Sequence, residues 1–129
     1  MSENCELCIL DRINHVFYNC DDFIIMSCDS CHVPMAVTHE HIDPTEKPLL
    51  TTEEKNKYLK IYKNMSNQLY IAAYDFFGDF NFYIDKKQRK IPNHVHWHAR
   101  KLNEALCGNN LFSVQRNNWK ILKQLGKAQ

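Results

Sequence analysis

The stretch that most constrains this chain is Ile91 to Lys101, read Ile-Pro-Asn-His-Val-His-Trp-His-Ala-Arg-Lys. His94, His96 and His98 alternate strictly with Val95, Trp97 and Ala99. A period of two is the period of a β-strand with one packed face. It sends the three imidazoles to one side and the three apolar groups to the other. A helix would scatter the same residues around its circumference, and the β-branched and aromatic members suit a strand better. The fold must therefore supply an apolar layer against Val95, Trp97 and Ala99.

A lone histidine is ordinarily a hydrogen-bonded, half-buried residue. Three in register on one face ask for another explanation. Positions i and i+4 of a strand lie about 13 Å apart, whereas each ligating nitrogen must come within about 2 Å of a zinc ion. An unbent strand cannot bring His94 and His98 to one metal. The three then have different tasks: a central histidine that does chemistry, one neighbour that binds or orients, and one that donates a proton. Imidazole suits the central task because its ordinary pKa of about 6.5 leaves a useful neutral fraction near pH 7.

The rest of the chain reads as strands around one long helix. His15–Cys20 and Phe23–Cys28 form a hairpin around Asp21-Asp22, and Val33–Thr38 makes a third strand. Asp43, Pro44 and Pro48 mark a loop. Thr51 and Glu54 have capping-box spacing. Tyr58, Tyr62, Met65, Leu69, Ala72 and Phe76 then recur in steps of four and three, a core-facing stripe ended by Gly78-Asp79. Phe80–Asp85 is a fourth strand, and the basic turn Lys86, Lys87, Arg89 and Lys90 leads into the histidine strand, where it is expected to attract phosphates beside the histidines. Beyond Gly108, Leu111–Gln115 reads as a strand and Trp119–Leu125 as a short helix. Strands with one packed helix indicate an α+β domain built on an antiparallel sheet.

Composition narrows the function classes. At 129 residues the expectation is one domain with a genuine core. A net charge of +1 gives no global pull toward nucleic acid or membrane. No apolar run reaches bilayer length, and the N-terminal residues Met1–Cys8 lack the basic and apolar regions of a signal peptide. The six cysteines are therefore expected in the reducing cytoplasm, as metal ligands or core thiols. Two C-x-x-C pairs stand out, Cys5/Cys8 and Cys28/Cys31, and their combined spacing fits a structural zinc ribbon.

Taken in order, the N-terminal C-x-x-C, His39-Glu40-His41-Ile42, the long helix, a strand ending in Asp85 and the run His94-x-His96-x-His98 resemble the histidine triad family. The resemblance covers about Cys5 to Lys101, the triad core of a single domain over residues 1–129, and leaves 102–129 as a C-terminal extension. It implies an antiparallel sheet with a long helix, a homodimer, and attack on the α-phosphate of a nucleotide. By that resemblance His96 is the nucleophile that becomes nucleotidylated, and His98 contacts phosphate oxygens or serves the leaving group. Asp85, Arg89 and Lys90 fall at substrate-binding positions. A structural zinc is carried by Cys5, Cys8, His41 and His94. Two departures are visible: Arg89-Lys90-Ile91 replaces a Gly-Gln-Ser-like run, and Asp85 stands where the family has asparagine.

Three functions follow as expectations. The first is a hydrolase cleaving at the α-phosphate of dinucleoside polyphosphates or nucleoside phosphoramidates, or a nucleotidyltransferase of the same type. The second is a zinc-ribbon module on Cys5, Cys8, Cys28 and Cys31, which leaves the histidine strand unexplained. The third is a nucleotide-binding relative without turnover. Nucleic acid is an unexpected partner, because aromatics do not interleave with a basic stripe.

Overall fold

The computed structural model describes residues 15–28, 32–40, 42, 51–86, 94–102 and 110–127 of the chain. Five strands and two helices follow in the order β1 (Val16–Asn19), β2 (Phe23–Ser27), β3 (Pro34–Thr38), α1 (Thr52–Phe77), β4 (Phe82–Asp85), β5 (His96–Lys101) and α2 (Leu111–Gln124). The strands form one sheet in the order β1-β2-β3-β5-β4, antiparallel at every pairing. The expected α+β architecture, with a long helix on an antiparallel sheet, is the one observed.

Helix α1 begins where its sequence says it should. Thr51 Oγ1 accepts the Glu54 N–H, and Glu54 Oε1 accepts the Thr51 N–H, which completes the capping box. The helix ends at Gly78, whose φ of 75° is left-handed, a conformation that glycine adopts without a Cβ penalty. Between these caps the helix runs about 39 Å at its usual rise per residue, enough to span the sheet. Ile61, Met65, Leu69, Ala72 and Ala73 are buried, while Tyr58 and Tyr62 pack at the margin. Phe76 is 45% exposed, and its neighbour Phe77 packs against the core in its place.

The sheet presents its two sides unequally. Phe23, Ile25, Ala36, Phe82, Val95, Trp97 and Ala99 join the α1 side chains in one apolar cluster. On the other side Ile24, Met26, Cys28, Met35 and Val37 form a second cluster. Cross-strand register extends that side in two rows. Met26, Met35, His98 and Asp85 stand abreast, and so do Ile24, Val37 and His96.

One expectation at the C-terminus is corrected. Leu111–Gln115 is helix rather than strand, and it is continuous with the segment expected as a short helix, giving α2 over 14 residues. This helix contributes to the core, with Leu122 fully buried. The opening Leu-Phe-Ser-Val favours a strand by propensity, and Asn118 interrupts what is otherwise a helical stripe. Asn118 is 1% exposed, and its Nδ2 donates to the carbonyls of Phe80 (2.9 Å) and Phe82 (2.7 Å). It is a buried polar residue that pins α2 to the start of β4.

The packing yields a contrast between two leucines of α1. Leu69 is fully buried and Leu59 is 65% exposed. Leu69→Ala should cost about 2–5 kcal/mol of unfolding free energy, and Leu59→Ala no more than about 0.5. Urea denaturation of the two variants measures both.

Candidate functional site

Strand β5 pairs with β3 on one side and β4 on the other, so its alternation is held from both edges. Val95, Trp97 and Ala99 enter the helix-side core, and Trp97 meets Tyr62 at 5.7 Å between ring centroids. His96 and His98 share the opposite face with Val37 and Met35, their direct partners on β3. His94 precedes the first paired residue, one step outside the ladder.

The three histidines are not equivalent. His94 is 0% exposed, against 5% for His96 and 8% for His98, so only the latter two keep any opening to the outside. His94 Nε2 lies 2.8 Å from the Thr38 carbonyl. A carbonyl can only accept, so this nitrogen carries the proton and any metal at His94 would have to use Nδ1. His96 Nδ1 lies 2.8 Å from the His94 carbonyl, two residues back on its own chain. The same reasoning puts the His96 proton on Nδ1, which leaves the lone pair of the neutral ring on Nε2. The His96 and His98 rings stand edge to face, 5.5 Å apart.

Beside them lies an ion pair. Asp85 sits directly across from His98, and Arg100 Nε donates to Asp85 Oδ2 at 2.9 Å. Arg100 follows His96 and His98 on the same face of β5. Among the described strand residues, it is the permanently charged cation on this side. The sequence reading ended its alternation at Ala99 and missed it, although the step of two from His98 was the available signal.

The basic turn divides. Lys86 lies over the Trp97 ring, with its Nζ 4.4 Å from the centroid. That places it on the helix side of the sheet, away from the histidines, and corrects its expected part in phosphate attraction. Lys87, Arg89 and Lys90 lie outside the described residues. So do three of the expected zinc ligands, Cys5, Cys8 and His41, and Cys31 of the second C-x-x-C.

Chain path bears on the metal. The Ser27 N–H donates to the His15 carbonyl at 2.9 Å, so the chain joins β1 at the end of the sheet that carries Cys28. His94, bonded to Thr38, lies at the opposite end. Cys28 itself closes a tight hairpin. Its N–H donates to the Val33 carbonyl, its carbonyl accepts from His32, and His32 turns left-handed at φ 57°. Among the described residues, no group of three or more histidine, cysteine or acidic side chains is arranged to hold a metal ion.

A cleft of about 360 Å³ lies elsewhere, where α1, β4 and α2 meet, lined by Tyr70, Ile84, Ser113 and Asn117 among others. It is shallow and holds no histidine. No helix among the described residues is long and apolar enough to cross a membrane. Compared with known proteins, the chain matches no family model, no curated protein and no solved structure.

Proposed function

We propose that the chain is a nucleotide hydrolase of the histidine triad type, working through a nucleotidyl-histidine intermediate. The observation that carries this reading is the hydrogen bond from His96 Nδ1 to the His94 carbonyl. It presets the tautomer in which Nε2 is the nucleophile, so no proton has to leave the ring before attack. In the first step Nε2 bonds to the α-phosphorus and the bond to the leaving group breaks. The leaving group takes its proton from a neighbouring acid, for which His98 is the nearest candidate on the same face. In the second step water attacks the same phosphorus and gives a proton to the conjugate base left by the first step, the P–N bond breaks, and the nucleoside monophosphate departs. Low exposure around His96 and His98 strengthens each charge-bearing contact to the reacting phosphate.

The nucleotide substrate, a homodimer and a cytoplasmic setting belong to the same proposal. They rest on the resemblance of the triad segment and on the thiol content. The alternative acceptors, phosphate or a second nucleotide in place of water, would make the same intermediate serve a transferase.

A structural zinc also belongs to it, and here chain path favours a different set from the one the resemblance implies. The first described residue, His15, stands seven positions after Cys8 and lies at the sheet end that carries Cys28, whereas His94 is at the other end. The reading supported best is four thiolates, Cys5, Cys8, Cys28 and Cys31, in place of Cys5, Cys8, His41 and His94. X-ray absorption on the zinc-loaded chain separates the two. Four sulfurs at about 2.3 Å are expected, whereas two sulfurs with two nitrogens at about 2.0–2.1 Å would return the site to His41 and His94.

The reaction has its own test. Wild-type protein incubated with an α-32P nucleotide should acquire an acid-labile, base-stable label. His96→Ala should acquire none and should lose turnover by a factor of about 10³ or more, with melting behaviour close to wild type. A His96→Ala variant that keeps most of its activity would exclude the covalent mechanism. Tight nucleotide binding with neither label nor turnover in wild type would mark a binding protein.

A further inference from the structure

We infer that Arg100, held by Asp85, receives the phosphate chain of the substrate beyond the phosphorus that His96 attacks. This rests on the reaction proposed above and names its substrate class: dinucleoside or nucleoside polyphosphates in preference to phosphoramidates.

His96, His98 and Arg100 succeed one another at steps of two on β5 and share one face. Along the strand Arg100 is about 7 Å from His98 and about 13 Å from His96. The attacked phosphorus must come within about 3–3.5 Å of the His96 nitrogen. A guanidinium two pleats further on is therefore offset toward whatever that phosphorus carries, not toward the phosphorus itself. In-line displacement puts the leaving group opposite the nucleophile. His98 and then Arg100 mark a direction along the strand for that group to follow. An amine leaving group is short and offers no anion there. A chain of phosphates does.

Asp85 explains why the cation is usable. Its side chain is 4% exposed, while that of Arg100 is 28% exposed. The carboxylate is buried across from His98, and the guanidinium is the more exposed partner of the two. Alone, a buried carboxylate on this face would repel a polyanion. Paired with Arg100, its charge is offset and its effect becomes restraint. It holds the guanidinium through Nε. A guanidinium presents paired N–H groups in a rigid fork that matches two oxygens of a phosphate. Lys86 cannot serve instead, because it is committed to the far side over Trp97. Asp85 is thus a positioning residue, and the departure from asparagine at this position goes with the arginine it orients.

The test uses the full chain and two readouts. The first is calorimetric titration with inorganic tripolyphosphate at two salt concentrations. The second is kcat/KM on diadenosine tetraphosphate and on adenosine 5′-phosphoramidate. Arg100→Ala should weaken tripolyphosphate binding by about 10- to 100-fold and flatten its salt dependence. Its loss on the tetraphosphate should exceed its loss on the phosphoramidate by about tenfold or more. Arg100→Lys keeps the charge and stem but not the fork, so its binding should fall between the two; it also serves if Arg100→Ala folds poorly. Asp85→Asn should weaken tripolyphosphate binding while the charge on Arg100 remains. Equal losses on both substrates, unchanged tripolyphosphate affinity in both Arg100 variants, or no tripolyphosphate binding by wild type would each overturn the assignment. If wild type turns over neither substrate but binds tripolyphosphate through Arg100, the proposed reaction fails and the anion site stands.

Discussion

Strand β5 is hydrogen-bonded on both sides, and the rest of the structure depends on that constraint. A strand locked between β3 and β4 cannot slip by one residue without exchanging its faces. Val95, Trp97 and Ala99 are thereby committed to the layer beneath α1, and His96 and His98 to the opposite side. Every apolar contact made by α1 with this strand also holds the imidazoles in register. Burial on one face supplies precision on the other.

The ladder matters equally where it stops. The paired residues of β5 begin at His96, so the carbonyl of His94 lies just outside the β3 ladder. It accepts from the His96 ring instead. Meanwhile His94 is drawn inward to Thr38 and is fully sealed. The first histidine of the three thus braces the second through its backbone and closes the sheet end through its side chain. Strand geometry, which forbids a shared metal, leads to this division of labour.

Much of this was legible in the chain itself. Thr51, Glu54 and Gly78 delimit α1 by cap chemistry that depends on neighbouring residues alone. The alternation from His94 to Ala99 foretells both faces of β5, because a period of two has one structural meaning. Three things were not legible. Helix α2 was hidden by Asn118, a polar residue on a buried stripe, whose two carbonyl partners are distant in sequence. Lys86 looked like part of a basic cluster, but a lysine stem can lie along an aromatic ring, and it does so over Trp97. Arg100 escaped notice because its meaning comes from Asp85 on another strand. Local patterns reveal elements and faces, whereas polar partnerships across the sheet appear only once the register is known.

The account turns on the protonation pattern of one ring. Nitrogen-15 correlation spectra of uniformly labelled protein, recorded where the His96 imidazole is neutral, read that pattern directly through the couplings of its two nitrogens to the ring protons. The structure predicts a proton on Nδ1 of His96 and a bare Nε2, with the reverse arrangement, a proton on Nε2, at His94. A neutral His96 protonated at Nε2 would leave the His94 carbonyl without its donor and the nucleophile without its lone pair, and would contradict the account at its centre.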